Sequence, residues 1–470
     1  MLTKTLRGRV LLGLALGASL LGSLAANGAR QALGVAAGYS AKLVASGVFV
    51  SGREESSILE QELAPASDLE RSFSKYIQVR VDRAQRRASA TALGLVTRTA
   101  VCRENLGCAL AVGVSPDALQ PRDTSRPPDA DRPDAAWPLG ERGATEDWTD
   151  VALDAAFAPG TQTRAVVIVH RGRIVGERYA PGFGAHTPLQ GWSMAKSVTA
   201  ALVGVLVREG RIELEAPTGL EEWQDERARI TLDQLLRMSS GLEFDETYAS
   251  LVTDPTRMLF GSASAAEYAV DKPLEAPPDS RWSYSSGTSN IVSLLLRRTF
   301  RSDDSYWSFP QRALFGPLGM RSAVLETDAS GTFVGSSFMY ATARDWARFG
   351  QLLIQDGVWE ERRILPAGWV GYLTTPTAQA PLGRYGAHVW LNAGAPGDRE
   401  QRSFRRLPHD MYYLAGFRGQ RVVVLPSRDL VVVRLGLTKD EDSWSLEDQL
   451  MLPLLDALRE SRAENGGNEP

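Results

Sequence analysis

Residues 189–212 read LQGWSMAKSVTAALVGVLVREGRI. Apolar residues at Val198, Leu202, Val205 and Leu206 recur at helical spacing and Gly210 is a good terminator, which predicts a helix over 193–209. Its head carries Ser193 and Lys196, three residues apart and hence on one face. Serine there has two readings. It is a favoured N-cap, and S-x-x-K arises by chance in many chains. It is also what a nucleophile needs. A first-turn N–H lacks an intrahelical partner and is free to face an oxyanion, and a desolvated lysine becomes a neutral base. This stretch alone leaves both open.

Working outward, "RAVVIVHRGRIVGERYA" before it is β-rich on both sides of a turn at His170 to Arg173, a predicted hairpin. After it, Thr231 with Gln234 and Thr342 with Asp345 have the spacing of helix starts. "QRVVVLPSRDLVVVRLG" predicts two strands around Pro426 to Asp429, and "SLEDQLMLPLLDALRE" a closing helix despite Pro453. The order is hairpin, long helical middle, strands and final helix.

Two further stretches carry candidate chemistry. In "RWSYSSGTSNIVSLLLRR", Tyr284 precedes a Ser-Ser-Gly turn and a helix. Its hydroxyl can reach a cleft, where a nearby cation would lower its pKa and let it share a proton shuttle; the alternative is a packing tyrosine beside a capped helix. In "YYLAGFRGQRVVVLPSRDLVVV", Gly416 and Gly419 flank Phe417 and Arg418 at a strand entry where backbone can approach substrate closely. The N–H near Gln420 is then a candidate second oxyanion donor; the alternative is a glycine-loosened strand with Arg418 in a surface ion pair.

With 470 residues, 43% of them hydrophobic, the chain can bury more than one core. The net charge of -4, with both signs mixed along the sequence, offers no basic stripe for nucleic acid. Four scattered histidines and no Cys/His cluster give a metal site no support. Lys4, Arg7 and Arg9 precede an apolar run from Val10 to Ala26 with small residues around Ala25, the order of an export signal or an uncleaved anchor. Cys102 and Cys108 are the two cysteines, either paired across a short loop or two buried thiols. "SPDALQPRDTSRPPDADRPDAAWP" is rich in Pro and Asp without an apolar period, and marks the internal boundary. These features divide the chain into a signal or anchor (1–29), a small N-terminal domain of unassigned role (30–114), a linker (115–138), a main domain (139–460) and a loose tail (461–470).

Taken in order, the three motifs resemble the serine beta-lactamase and penicillin-binding-protein superfamily, in its class C and esterase-like branch. "SMAKS" matches S-x-x-K, which implies Ser193 as the acylated nucleophile and Lys196 as its proton partner. "YSS" stands where the branch carries Y-x-N, implying Tyr284 as general base in concert with Lys196. "FRGQ" stands at the K-T-G-type strand, implying oxyanion amides at Ser193 and Gln420. The resemblance runs from Trp137 to Arg459. It implies an α+β fold, an antiparallel sheet flanked by helices with an all-helical subdomain, and an exported enzyme, periplasmic or anchored to the inner membrane facing the periplasm. No cofactor is implied.

Departures from the pattern narrow the activity. Phe417 replaces the cation that holds a substrate carboxylate in beta-lactamases and D,D-peptidases, and on a regular strand Arg418 would face the other way. Ser286 replaces the amide of Y-x-N. Both count against β-lactam turnover, and the combination looks most like 6-aminohexanoate-dimer hydrolases and related carboxylesterases. The expectation is a serine hydrolase acting on a small-molecule ester or amide, with Ser286, Phe417, Arg418 and Gly419 against substrate. Asp245, Glu246 and Tyr248 fall in a loop read as solvated. The competing readings are a beta-lactamase or D,D-peptidase, and a non-catalytic binding protein of the same fold.

Overall fold

The computed structural model describes residues 27–64, 75–119, 134–248 and 252–464. The apolar run over 10–26 lies outside them, as does most of the Pro/Asp-rich stretch.

The N-terminal part is a helix laid on a sheet. Helix α1 (Asn27–Phe49) is long and apolar enough by composition to cross a membrane, yet 72% of its most apolar window is buried inside the protein. Its Ala37, Ala41, Val44 and Ala45 share an apolar cluster with Ala88, Ala90 and Ala100, small side chains that let helix and sheet backbones come close. The short helix α2 (Glu55–Gln61) adds Ile58 to this cluster. The sheet is a meander of β1 (Ile77–Asp82), β2 (Arg87–Ala92), β3 (Val96–Arg103) and β4 (Gly107–Leu110), antiparallel throughout. Cys102 and Cys108 face each other across β3 and β4 and form a disulfide.

The C-terminal end of the stretch read as a linker is not loose. Trp137 is buried, and the Arg348 side chain donates to the carbonyls of Pro138 (2.9 Å) and Gly140 (2.7 Å).

The larger part opens with α3 (Asp150–Ala156) and the hairpin β5 (Thr163–His170) and β6 (Arg173–Tyr179). Arg171 and Gly172 in its turn both have positive φ, 51° and 73°, the geometry that two-residue hairpins favour. There follow β7 (Leu189–Gln190), α4 (Ala195–Arg208), α5 (Ser286–Arg298), β8 (Val324–Leu325), β9 (Met339–Ala341) and α6 (Ala343–Ile354). The chain then returns to the sheet with β10 (Trp390–Leu391), β11 (Tyr412–Gly416), β12 (Gln420–Leu425) and β13 (Leu430–Gly436), and closes with α7 (Leu452–Glu464). Strand order is β10-β11-β12-β13-β5-β6, every pair antiparallel.

Alternation along these strands splits the core in two. Val167, Val169, Val422, Val424, Val431 and Val433 face α6 and the helical middle. Val166, Ile168, Val423, Leu425 and Val432 face Leu153 of α3 and Leu454 of α7. The predicted closing helix continues past the expected end to Glu464, and a π-type turn over Glu447–Met451 precedes Pro453. The observed architecture is thus the expected antiparallel sheet between helical layers.

The two parts are joined by buried charge. The Lys42 ammonium of α1 pairs with Glu326, which also accepts from Ser46 Oγ at 2.8 Å and from the Cys108 N–H at 2.7 Å. Lys42 and Glu326 are both excluded from solvent.

Candidate active site

Ser193 sits in a 3₁₀ turn, Trp192–Met194, that runs directly into α4. Trp192 just before it has φ +49°, a left-handed conformation that costs a non-glycine residue on the order of 1 kcal/mol and re-aims the chain at the helix head. Gly191 makes this possible, since a Cβ there would lie 2.3 Å from the Trp346 ring. Ser193 is half-buried and open to the site, whereas Lys196 one turn on is buried.

Lys196 Nζ donates to Ser193 Oγ at 3.2 Å, to Ser286 Oγ at 2.9 Å and to the Ser336 carbonyl at 3.1 Å. Three acceptors fix the ammonium in space. Burial lowers its pKa to about 8, against the opposing pull of Glu246.

Ser286 holds the other end of this relay. Its Oγ donates to Glu246 Oε1 at 2.5 Å, and its N–H to Glu246 Oε2 at 2.7 Å. Burial raises the Glu246 carboxyl pKa while Lys196 lowers it. Glu246 is therefore not the solvated loop residue expected from sequence, because α5 starts at Ser286 and turns a free first-turn N–H toward it. Asp245 by contrast is exposed.

Tyr284 is brought to the same place, with one correction. Lys196 Nζ lies 4.8 Å from the centroid of its ring, over the π face. Burial and then Glu246 raise the phenol pKa, while a hydrogen bond with Ser193 opposes them. The cation does not lower it as expected; desolvation wins, and Tyr284 is a neutral hydroxyl at pH 7. Its ring is walled by Trp390 at 5.3 Å and Tyr385 at 5.8 Å.

The third motif forms a tight hairpin between β11 and β12. A Cβ on Gly416 would stand 2.1 Å from the Gly191 carbonyl, so only glycine lets β11 close on the serine turn. Phe417 meets the Trp192 ring edge-to-face at 5.6 Å and stacks on Tyr248 at 5.2 Å. Arg418 is not on a strand at all. It occupies the turn with φ +65°, and its guanidinium lies 4.8 Å from the Phe417 ring centre, so strand alternation does not turn it to the opposite face as expected. Gly419, at φ +82°, completes the turn.

Gln420 opens β12 and is buried. Its amide nitrogen donates to the Phe417 carbonyl at 3.0 Å and to that of Gly436 at 2.7 Å, and its oxygen accepts from Gly436 N–H at 2.9 Å. The side chain is thus committed to holding the hairpin. Gly416 and Phe417 lie against the serine turn, Gly416 beside the Gly191 carbonyl and Phe417 against the Trp192 ring.

One buried residue was not anticipated. His388, with φ +58°, places Nδ1 3.0 Å from the Lys196 carbonyl and Nε2 3.1 Å from Ser289 Oγ, tying α4 to α5. A lone histidine carries no local signal for such a role. Among the described residues no group of three His, Cys, Asp or Glu side chains is placed to hold a metal ion.

A family model of the beta-lactamases matches residues 153–451. The 6-aminohexanoate-dimer hydrolase of Paenarthrobacter ureafaciens is 23% identical over 328 residues, covering 63% of this chain and 79% of that protein. Among solved structures, a Bacillus anthracis protein assigned as a 6-aminohexanoate-dimer hydrolase superposes with TM-score 0.55 at 20% identity, over 72% of this chain and 91% of its own. A family VIII carboxylesterase superposes with TM-score 0.50 at 17% identity, over 68% of this chain and 99% of its own.

Proposed function

Since the chain belongs to the beta-lactamase family, whose members include esterases and amidases, we propose that it is a serine hydrolase cleaving a small-molecule ester or amide through an acyl-enzyme on Ser193. The observation that carries this reading is the Lys196 ammonium, 3.2 Å from Ser193 Oγ and lowered by burial to about 8. A base poised near the working pH takes a serine proton without a large thermodynamic penalty.

In this mechanism neutral Lys196 removes the Ser193 proton as Oγ attacks the carbonyl. The Ser193 N–H and an amide of the Gly416–Gln420 turn receive the oxyanion. Gln420 is the donor expected from the motif, and Phe417, whose ring packs on Trp192 of the serine turn, is the other candidate. Tyr284, protonated, donates to the leaving alcohol or amine and is reprotonated from the lysinium; the same pair then activates water for deacylation. Glu246, through Ser286, keeps the lysine oriented and stabilises its charged form. Phe417, Tyr248 and Trp192 offer an aromatic wall at the mouth, with Arg418 above it.

We also infer an exported protein, from the basic flank and apolar run over 4–26. The test of the catalytic reading is intact mass after exposure to a fluorophosphonate. One adduct on the parent and none on Ser193→Ala is expected; an unmodified, folded parent would overturn it.

A further inference from the structure

We propose that the β2–β3 hairpin tip of the N-terminal part is a docking surface for an anionic lipid bilayer. The tip presents Tyr76, Leu93 and Leu95, which are 50%, 46% and 75% exposed. Leu93 N–H donates to the Tyr76 carbonyl at 3.0 Å, so the three form one patch rather than scattered apolar residues. Gly94, at φ +67°, makes the turn that turns both leucines outward.

The position of this patch points to its occupant. Gly34 of α1 lies against the Arg98 guanidinium, three residues from Leu95, whereas the ring of Phe49 at the other end of α1 lies under Arg86, in the opposite turn of the sheet. The helix therefore runs toward the Leu93–Leu95 end as it is followed back to its start. At 1.5 Å per residue, Asn27 lies about 10 Å beyond Gly34 on that side. The chain that precedes Asn27 is the apolar run read as a signal or anchor, with Lys4, Arg7 and Arg9 before it. A tethered chain would hold the tip against the bilayer.

The charge of the hairpin agrees. The half of the sheet nearest the tip carries Lys75, Arg80 and Arg98 and no acid over 75–81 or 88–98, in a protein whose net charge is -4. Lys75 Nζ lies 5.2 Å from the Tyr76 ring centre, a cation beside an amphipathic aromatic, the pairing that suits the headgroup layer. Apolar tip and cationic flanks are two separate attractions to the same surface.

The test uses the full chain with Leu95→Cys carrying an environment-sensitive nitrobenzoxadiazole label. Cys102 and Cys108 are bonded to each other, so the new thiol is the single target. Vesicles of phosphatidylglycerol and phosphatidylethanolamine are added, with and without brominated acyl chains. A blue shift at position 95 and quenching by bromine are expected, with neither at Val151→Cys, an exposed site on α3. Replacing Tyr76 and Leu93 together by Ser in the labelled chain should reduce the blue shift and the bromine quenching at position 95 severalfold, a local readout that an anchor over 10–26 does not mask. A label at 95 that stays in water on vesicle-bound protein overturns the proposal, as does failure of the chain to bind vesicles. A shift without vesicles would assign the patch to a second copy of the chain, and would overturn it too. None of these outcomes depends on the hydrolase reading, which fluorophosphonate labelling follows separately.

Discussion

The imidazole of His388 spans two helices of the site, with Nδ1 at 3.0 Å from the Lys196 carbonyl and Nε2 at 3.1 Å from Ser289 Oγ. Burial, and then the Lys196 charge, lower its pKa to about 3. The unfolded chain binds a proton at the ordinary histidine value while the folded one refuses it. Its contribution to stability is therefore complete above about pH 6.5 and is lost as pH falls toward 3. From pH 6.5 to 4.5 that loss amounts to about 2–3 kcal/mol. Urea midpoints at the two pH values should show a steeper acid loss in the parent than in His388→Asn. Equal slopes would remove this histidine from the account.

Acylation should follow the Lys196 titration. The rate constant kcat/KM for a short-chain nitrophenyl ester rises with pH through about 8, since only the neutral amine accepts the serine proton. Glu246 stabilises the lysinium, so Glu246→Gln moves that limb to lower pH. A limb shifted upward in this variant would contradict the charge relay. Lys196→Met should lose activity by on the order of 10³-fold.

Tyr284 is held neutral by its surroundings, so in the proposed mechanism it donates a proton and is not a phenolate. Tyr284→Phe keeps the packing against Trp390 and Tyr385 and should lower kcat by about 10²–10⁴-fold with little change in KM. The deficit should be smaller for esters with good leaving groups, which need no acid. A uniform loss across leaving groups would reassign Tyr284 to packing.

How much of this could be read in advance follows from how local each signal is. The Ser193 helix, the β5–β6 hairpin and the β12–β13 pair were legible because periodicity and turn residues act over a few positions. The order of the three motifs pointed to the fold. Glu246 and His388 were not legible, because each is defined by partners 40 to 192 residues away. Arg418 was misplaced because a left-handed turn breaks the strand alternation on which the expectation rested. The long helix α1 was missed as well: its glycines and alanines are poor markers of a periodic face, and it is stabilised by the sheet it covers.

Arg418 supplies a test of substrate class. Its guanidinium lies beside the Phe417 ring, and in the proposed site it is the cation available to a substrate carboxylate. Arg418→Ala should raise KM about tenfold for amides bearing a free carboxylate and leave neutral esters unchanged. Equal effects on both would place Arg418 outside recognition.

The Lys42–Glu326 pair predicts that the N-terminal part is needed for the catalytic site and is more than an appendage. Glu326 lies in the segment that pairs its backbone with Phe338 and Val334, and the same segment carries Ser336, whose carbonyl receives Lys196. Removing one partner leaves the other charge buried and unpaired, which typically costs 3–5 kcal/mol, whereas removing both spares that penalty. Lys42→Met should therefore lower the urea midpoint sharply. Lys42→Met with Glu326→Gln should recover part of the loss, because Ser46 and the Cys108 N–H still bond to an amide oxygen. At temperatures where each variant is fully folded, the single one should also show weaker fluorophosphonate labelling of Ser193, since a displaced Ser336 loosens the lysine. Unchanged labelling in a destabilised Lys42→Met would confine the pair to stability and separate it from the chemistry.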